Sequence, residues 1–246
     1  MEKITDKTGR IAFIGGGMMA EAILKGMLHK EIADPEMIII SDPSAGRREY
    51  LEKTYKVNTT GCNVEAVKTA GFVIFAVKPQ VADIAINSEV AGAIPENATV
   101  LSIMGSVNLD KLHKLVPGHA VIRVMPNTPL AVGCGMTAIA PDENVSEEML
   151  DVAKAIFGSC GEIEIIAESA IEAIAAVSGC GPGYVFMMID ALADAGVNAG
   201  LPRAMAIKLA AQTFAGSGKM VLDTGLHPAR PGNITGRHNH CRHTCA

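Results

Sequence analysis

The chain of 246 residues has a formal net charge of −5 at pH 7, with 49% hydrophobic and 19% charged residues. Because no basic surplus is present to neutralise phosphates, the charge argues against a nucleic-acid partner and favours a small-molecule partner. The first ten residues are polar and no apolar run reaches the length of a bilayer span, so we predict no signal peptide, no membrane partner and a cytoplasmic location.

The first predicted element begins at Ile11, where a short apolar run meets three glycines and then apolar residues at helical spacing. This order is typical of a strand, a tight turn and a helix. Nearly continuous apolar runs indicate further strands that are buried on both faces, with room for crossover helices between them. The predicted strands lie within residues 37–43, 71–79, 98–105, 119–129 and 161–169, and the helices within residues 47–55 and 64–70. We therefore predict a doubly wound parallel sheet that ends near Ala167.

The pattern changes after Ala167. Stretches rich in Ala, Met and Leu show helical periodicity over residues 169–179, 183–200 and 202–225, and Gly and Pro separate them. The sequence thus predicts an α/β domain over residues 1–167 and a smaller all-α domain over residues 168–229. Since the helical part is short for a core of its own, we expect it to bury its apolar face against a second subunit.

The glycine turn after the first strand has the spacing Gly15-x-Gly17-x-x-Ala20. The first glycine makes a tight turn, the second lets the backbone approach a pyrophosphate, and the alanine lets the helix pack on the strand. The free N–H groups at the start of the helix then bind the anion. The motif predicts a Rossmann-type dinucleotide-binding domain, although glycine-rich turns also occur where they serve geometry alone.

Residues at the end of the second strand bear on the choice of cofactor. Asp42 lies where an acidic residue binds the ribose 2′-hydroxyl of a dinucleotide. Ser41, Arg47 and Arg48 lie nearby and could instead hold a 2′-phosphate. The alternative is that these residues form a solvated first turn of a helix.

Four further stretches follow the glycine turn: AVKP at residues 76–79, RVMPNTP at 123–129, SGCGPGY at 178–184 and DALADAGVNAGLPR at 190–203. In this order, the chain resembles the pyrroline-5-carboxylate reductase family over about residues 11–229. The resemblance implies NAD(P)H-dependent reduction of 1-pyrroline-5-carboxylate to L-proline, the last step of proline biosynthesis, without a metal. It also implies a Rossmann domain followed by a helical domain that interlocks with a partner chain, and hence a homodimer or a higher homo-oligomer.

The resemblance also implies a set of cofactor-binding residues. They are Gly15, Gly16, Gly17, Met18, Met19, Ser41 and its neighbours, Asn63, Ala76, Val77, Lys78 and Pro79. Lys78 follows a strand, at the edge where open α/β sheets bind ligands, but a surface lysine that only aids solubility is the alternative. With Ser41 and Arg47 close to the expected 2′ position, we expect NADPH as cofactor, and Asp42 leaves the use of NADH open.

Two stretches supply candidate substrate-binding residues. Asn127 lies between two prolines at the end of a strand, where it could contact the substrate or the nicotinamide amide, or simply form a turn. Ser178, Gly179 and Gly181 precede Pro182 at the expected first position of a helix. Their donors could face the substrate or only cap the helix. No catalytic side chain is assigned, because the chain departs from the family where the substrate segment is expected.

The C-terminal tail, residues 230–246, contains five potential zinc ligands: His238, His240, Cys241, His243 and Cys245. These ligands are too crowded for a structural zinc site, which needs ligand pairs separated by a folded loop. The family has a segment resembling SPGGTTIAG here, and the codons for residues 234–243 can encode that segment when they are read one base later. We infer that the tail is out of frame, and we expect it to be disordered and to bind no metal.

Three functions stay open from the sequence. The first is an imine reductase, and the second is an inactive dinucleotide-binding remnant that lacks the substrate segment. The third is a related β-hydroxyacid dehydrogenase, for which Lys208 is the nearest match to a catalytic lysine, although MPNTP and SGCGP argue against it. The cysteines outside the tail, Cys62, Cys134, Cys160 and Cys180, have no CxxC spacing and indicate reduced, mostly structural thiols.

Overall fold

A computed structural model describes residues 3–225 of the chain. Its centre is an eight-stranded sheet with the order β3-β2-β1-β4-β5-β6-β7-β8. The strands are β1 (Arg10–Ile14), β2 (Ile38–Ser41), β3 (Asn58–Thr60), β4 (Ala70–Phe75), β5 (Thr99–Ser102), β6 (Val121–Met125), β7 (Gly135–Pro141) and β8 (Gly161–Ile165). The predicted α/β fold with a Rossmann-type sheet is confirmed.

Helices cover both faces of the sheet, and further helices follow its last strand in the chain. The α-helices are α1 (Ile4–Thr8), α2 (Met18–His29), α3 (Ala45–Tyr55), α4 (Asn63–Val67), α5 (Ala82–Ala85), α6 (Ser88–Ala93), α7 (Leu109–Leu115), α8 (Glu147–Gly158), α9 (Ile171–Ile174), α10 (Gly181–Asn198) and α11 (Arg203–Thr224). Short 3₁₀ turns lie at Pro35–Met37, Pro79–Val81, Thr128–Val132 and Glu168–Ala170, and a π-helical turn spans Ala175–Gly179.

The apolar strands are buried on both faces, as their continuous hydrophobicity predicts. In β1, Ile11 and Phe13 pack into one layer of the core, whereas Ala12 and Ile14 pack into the layer on the other side. All four side chains are fully buried. The sheet is therefore a central layer between two hydrophobic cores.

The order in which strands are added to the sheet reverses at β1, which pairs in parallel with β2 on one side and with β4 on the other. Such a switch point opens a crevice at the carboxyl ends of the strands. The sheet is parallel from β3 through β6, but β7 runs antiparallel to β6. The prediction of an all-parallel sheet is corrected at this point, and neither β3 nor β7 was expected from the sequence.

The tertiary contacts divide the chain into one unit that ends at Pro182 and a second that begins at Gly183. Residues 168–182 thus group with the sheet, and the domain boundary that the sequence suggests near Ala167 stays a prediction. Within the second unit, α10 and α11 pack through Ala193, Ala206 and Ala210. A Cβ atom on Gly196 would lie 3.1 Å from the Ala206 Cβ, so small residues do permit close packing of these helices.

One helical run in the described part of the chain, Glu168–Asn198, is long and apolar enough to span a membrane by length and composition alone. The expectation that no apolar run reaches this length was therefore wrong. Only 6% of its most apolar window is buried within the chain. The inferred out-of-frame tail at residues 230–246 lies outside the described residues.

Candidate functional site

The cavity at the switch point lies where β1, β2, β3 and β4 end. It has a volume of about 530 Å³ and brings together residues from the four loops that follow these strands. Its lining residues are Gly15, Ser41, Pro43, Gly61, Cys62, Asn63, Val64, Val77, Val81, Ile84, Ala85, Asn87, Glu89 and Val90. A mostly apolar cleft with a few polar groups at this place in an open α/β sheet is typical of a nucleotide site.

The three glycines of the turn differ in what surrounds them. Gly15 has a φ of +99°, and a Cβ atom there would lie 2.8 Å from the Ala76 carbonyl oxygen, so no other residue fits. The Gly16 N–H donates to Asp42 Oδ2 at 3.0 Å. Gly17 precedes α2, and a Cβ atom there would meet nothing within 4 Å. The backbone is thus fixed at Gly15 and Gly16 and open at Gly17, where a phosphate would approach the helix.

Met18 and Met19 at the start of α2 point in different directions. Met18 is 88% exposed, whereas Met19 packs against the hydrophobic core. Met18 is therefore free to contact a bound molecule beside Gly17, while Met19 anchors the first turn of the helix.

Asp42 is held inside the site through both carboxylate oxygens. Oδ2 accepts the hydrogen bond from Gly16, and Oδ1 accepts one from the Ser44 N–H at 2.9 Å. Each carboxylate oxygen has a second lone pair, so a ribose hydroxyl can still be bound. The contact to Gly16 gives Asp42 a role in shaping the glycine turn that the sequence did not suggest.

Ser41 and Asn63 form the polar wall of the cavity. The buried Ser41 hydroxyl donates to Asn63 Oδ1 at 2.6 Å, and Asn63 Nδ2 donates to the Ala85 carbonyl at 3.0 Å. Two residues that the sequence assigns to the cofactor therefore contact each other directly.

Arg47 and Arg48 lie near the same wall but make different contacts. Arg47 Nε donates to the Gly16 carbonyl at 2.5 Å, and its Nη2 donates to Glu21. Arg48 Nη1 donates to the carbonyls of Asp42 and Pro43 at 2.7 and 3.1 Å. The two guanidinium groups thus brace the loops of the site rather than extend freely into solvent.

Glu21 is a site residue that the sequence analysis missed. Its carboxylate accepts hydrogen bonds from Arg47, from the Tyr55 hydroxyl at 2.7 Å and from the Tyr50 hydroxyl at 2.9 Å. Partial burial acts to raise the pKa of Glu21, but these three donors outweigh it and hold the pKa below its usual value. The only sequence signal was the position of Glu21 in the first turn of α2. A negative charge at a helix start that is expected to bind an anion needs a positively charged partner.

The AVKP stretch follows β4 and borders the cavity. The Ala76 N–H donates to the Ile14 carbonyl at 2.9 Å, which continues the pairing of β4 with β1, and Val77 lines the cavity. Pro79 begins a 3₁₀ turn, as its fixed φ allows, but β4 has already ended at Phe75. Lys78 is exposed and makes no ion pair within residues 3–225, so its ammonium group is available to a ligand.

Asn127 connects three segments. It is 8% exposed, its Nδ2 donates to the Ser178 carbonyl at 3.0 Å, and its Oδ1 accepts from the Met136 N–H at 2.9 Å. The structure thus brings two of the predicted substrate residues, Asn127 and Ser178, into direct contact. The side-chain amide is occupied by backbone groups of the protein, which gives it a structural role beside any contact to a ligand.

The SGCGP stretch contains the end of one helical segment and the start of the next, so Ser178 does not cap a helix as the capping alternative expects. Ser178 and Gly179 lie in the π-helical turn, and the Ser178 hydroxyl donates back to the Ile174 carbonyl at 3.1 Å instead of capping. Gly181 begins α10, so Pro182 is its second residue. The capping alternative is therefore wrong for Ser178, because the preceding helix continues into the turn. π-Helical turns of this kind are frequent at functional sites.

Arg123 is a second residue that the sequence analysis missed, although a charged residue within an apolar strand was a signal. It is 3% exposed, and its guanidinium contacts Glu168, Glu172 and the Gly105 carbonyl. In the helical unit, Arg203 forms ion pairs with Asp190 and Asp194. Arg123 links segments that lie 45 and 49 positions apart, whereas Arg203 links two consecutive helices, α10 and α11.

No group of three or more His, Cys, Asp or Glu side chains that could hold a metal occurs among residues 3–225. Cys62, Cys134 and Cys180 are exposed free thiols, whereas Cys160 is buried and burial raises its pKa. The five potential zinc ligands of the C-terminal tail lie outside the described residues.

The fold and the site together define a dinucleotide-binding α/β protein with a helical C-terminal part. A family model for pyrroline-5-carboxylate reductase dimerisation matches residues 168–234, and a model described as NADP oxidoreductase, coenzyme F420-dependent, matches residues 10–106. Among curated relatives, pyrroline-5-carboxylate reductase of Synechocystis sp. is 46% identical over 90% of this chain and 82% of its own length. The Escherichia coli enzyme of the same name is 41% identical, over 89% of this chain and 81% of its own length.

Solved structures agree with these relatives. A Plasmodium falciparum pyrroline carboxylate reductase with NADP bound superposes with a TM-score of 0.80 at 32% identity, covering 89% of this chain and 80% of that one. The Coxiella burnetii pyrroline-5-carboxylate reductase superposes with a TM-score of 0.82 at 30% identity, covering 89% of this chain and 82% of that one. The chain belongs to the pyrroline-5-carboxylate reductase family.

Proposed function

We propose that this chain reduces 1-pyrroline-5-carboxylate to L-proline with NADPH as hydride donor. The names of the relatives and the NADP bound in the Plasmodium falciparum structure support this proposal. The observation on this chain that carries it is the cavity at the switch point of the sheet, whose glycine turn is open only at Gly17.

The cofactor half of the site is proposed to consist of the residues around this cavity. A pyrophosphate bound at Gly17 would meet the free N–H groups of α2, and the adenosine would enter the cleft beside Ser41 and Asn63. Arg47 and Arg48 supply positive charge near the ribose, and the free ammonium of Lys78 supplies more at the end of β4. This charge is the reason to expect NADPH, while Asp42 leaves NADH as an alternative donor.

The substrate half is proposed to lie at Asn127, Ser178, Gly179 and Gly181. When bound, the reduced nicotinamide supplies the hydride that reduces the C=N bond of the cyclic imine. The protonated imine is already electrophilic, so the protein's task is to hold the reacting carbon close to the donor and to exclude water. Asn127 contributes by fixing the Ser178 carbonyl and the start of β7 at one place.

We further propose that the active form is a homodimer or a higher homo-oligomer in the cytoplasm. The helical unit exposes large apolar side chains, among them Phe186, Met187, Met188, Leu209 and Met220. An apolar surface of this kind marks an interaction site. The match of residues 168–234 to the dimerisation model makes a second copy of the chain the proposed partner.

Turnover distinguishes the proposed enzyme from the inactive remnant. The purified chain would be incubated with 1-pyrroline-5-carboxylate and NADPH, and L-proline would be measured by chromatography. Because the tail replaces the expected substrate segment, each lost charge-assisted hydrogen bond costs about 1.5–3 kcal/mol, so we expect slow formation of proline. A variant with the frame restored after Ala229 should be faster by orders of magnitude, and a chelator should change neither rate.

The alternative functions predict other results. NADPH binding by the unaltered chain without any proline, together with proline formation by the restored variant, would indicate a remnant that lacks its substrate segment. Oxidation of a β-hydroxyacid that Lys208→Ala abolishes would favour the dehydrogenase alternative, although Lys208 is exposed on α11. Activity of the unaltered chain that a chelator removes would show that the tail is functional.

A further inference from the structure

Alternate residues of β6 and of its extension contact the helical segment 168–179, each at a different point. Arg123 Nη1 lies 3.0 Å from Glu168 Oε1, and Arg123 Nη2 lies 2.9 Å from Glu172 Oε1. Two residues further on, the Met125 Cε would be 2.8 Å from a Cβ atom on Gly179. Two residues beyond that, Asn127 binds the Ser178 carbonyl. Residues 123, 125 and 127 therefore hold this segment along one line, as the two-residue period of an extended chain allows.

The charged end of this line also holds the loop that follows β5. Arg123 Nη2 donates to the Gly105 carbonyl at 2.6 Å, and Glu168 Oε1 accepts from the Leu109 N–H at 2.6 Å. One guanidinium group and one carboxylate thus join β6, the loop after β5 and the segment at Glu168. All three meet at the carboxyl edge of the sheet, where β4 and β5 also end.

The energetics of Arg123 indicate that its role is placement more than stability. The side chain is 3% exposed, and its Nε has no hydrogen-bond partner within the described residues. One of its two acidic partners, Glu172, has a side chain that is 78% exposed. Taking a guanidinium group out of water offsets most of what such pairs contribute, so buried ion pairs add little net stability, although they can fix one arrangement of a chain.

We infer that Arg123 is a positioning residue, which sets the π-helical turn Ala175–Gly179 against Asn127 through Glu168 and Glu172. The inference rests on the proposed function, because that turn is the proposed substrate half of the site. Arg123 touches neither cofactor nor substrate in this account. Its loss displaces Ser178 and Gly179 while the glycine turn and the cavity at Ser41 keep their structure.

The first test measures the position of the turn without turnover. Hydrogen exchange would be compared in the full chain and in Arg123→Met, Arg123→Lys and Glu172→Gln. We expect amides of residues 171–182 to exchange about tenfold faster in Arg123→Met, while peptides covering β1 and β4 stay within about twofold. Arg123→Lys should recover only part of the protection, since its single nitrogen cannot reproduce the planar fork in which Nη1 contacts Glu168 while Nη2 contacts Glu172 and the Gly105 carbonyl.

The second test separates binding of the two reactants. In Arg123→Met we expect the KM for 1-pyrroline-5-carboxylate to rise about tenfold with the Kd for NADPH within about twofold, because a small misplacement affects only the substrate half. A partly unfolded preparation would lower the maximal rate and leave this KM unchanged. Glu172→Gln, whose side chain is largely exposed, should fold normally and raise the KM in the same direction by a smaller factor. Glu164→Gln, an exposed glutamate on β8, is the matched control and should change neither value.

The results separate the inference from the proposed function. Faster exchange throughout the sheet, or unchanged exchange over residues 171–182, would overturn the positioning role. A rise in the Kd for NADPH in Arg123→Met that equals the rise in the KM for 1-pyrroline-5-carboxylate would overturn it as well. If the unaltered chain forms no proline, the proposed function fails, and hydrogen exchange still decides whether Arg123 positions the turn.

Discussion

Replacing Gly15 and Gly17 by alanine, one at a time, should separate folding from cofactor binding within one motif. At Gly15, the backbone has a φ of +99°, and the added methyl group would lie 2.8 Å from the Ala76 carbonyl oxygen and 3.0 Å from Val77 Cγ1. At Gly17, φ is −67° and the methyl group would meet no atom within 4 Å. The two substitutions therefore change the same chemical group in opposite surroundings.

The magnitudes follow from these surroundings. For Gly15→Ala, the left-handed backbone costs about 1–2 kcal/mol, and crowding against backbone that cannot move away costs about 1–3 kcal/mol more. The sum, about 2–5 kcal/mol, is a large part of the 5–15 kcal/mol by which domains are typically stable, so about a third of the stability is lost. For Gly17→Ala, a weaker helix cap costs about 0.5–1 kcal/mol, and a less flexible unfolded chain offsets about 0.4–1 kcal/mol of this.

The assay pairs urea unfolding with calorimetric titration of NADPH. We expect Gly15→Ala to lower the free energy of unfolding by about 2–5 kcal/mol. Gly17→Ala should unfold like the unaltered chain but bind NADPH about tenfold more weakly, which corresponds to about 1.4 kcal/mol. Unchanged affinity of Gly17→Ala for NADPH would refute the assignment of Gly17 to the pyrophosphate. Equal destabilisation by both substitutions would refute the structural distinction between the two glycines.

Three other predictions concern charge, packing and cofactor choice. Because the folded-state pKa of Glu21 is lowered, its contribution to stability is present above its unfolded pKa and is lost as the pH falls through the folded pKa. The free energy of unfolding of Glu21→Gln should therefore depend less on pH, between about pH 5 and 3, than that of the unaltered chain. Asn127→Ala leaves the Met136 N–H and the Ser178 carbonyl without their partner, so we expect a loss of about 2–4 kcal/mol in urea unfolding, and a loss below about 0.5 kcal/mol would contradict the buried contacts. NADPH should bind at least as tightly as NADH in parallel titrations, and a clear preference for NADH that persists in Asp42→Ala would contradict the expectation.

The parts of the fold that the sequence predicted are those with a strong local signal. The first strand, its glycine turn and α2 were predicted because apolar periodicity and glycine spacing agree there. β3 was missed because its residues, Asn58–Thr60, are polar and form a short edge strand. β7 was also missed. Its own residues do not indicate which strand it pairs with, because its antiparallel direction depends on the tertiary contact with β6.

The site was predicted less completely than the fold, for a physical reason. Gly15, Ser41, Asn63 and Val77 were assigned from motifs, and all four line the cavity. Glu21 and Arg123 act through partners that lie 18 to 49 positions away along the chain, and no local pattern reports such a contact. For SGCGP, the predicted start of a helix is present at Gly181, but the π-helical turn lets the preceding helix run into the stretch, so Ser178 does not cap.

The reversal of β7 also decides where the protein can be modified. Pro141 at the end of β7 pairs with Ile122 near the start of β6. The loop that follows, residues 142–146, therefore leaves the sheet at the amino ends of the parallel strands, whereas the cavity lies at their carboxyl ends. Glu143 and Asn144 in this loop are exposed. A fluorophore or an affinity tag attached at either position would therefore sit far from the glycine turn, and exposed loops of this kind tolerate insertions best. The same loop offers a site for immobilising the protein on a sensor surface with its cofactor cleft facing the solution.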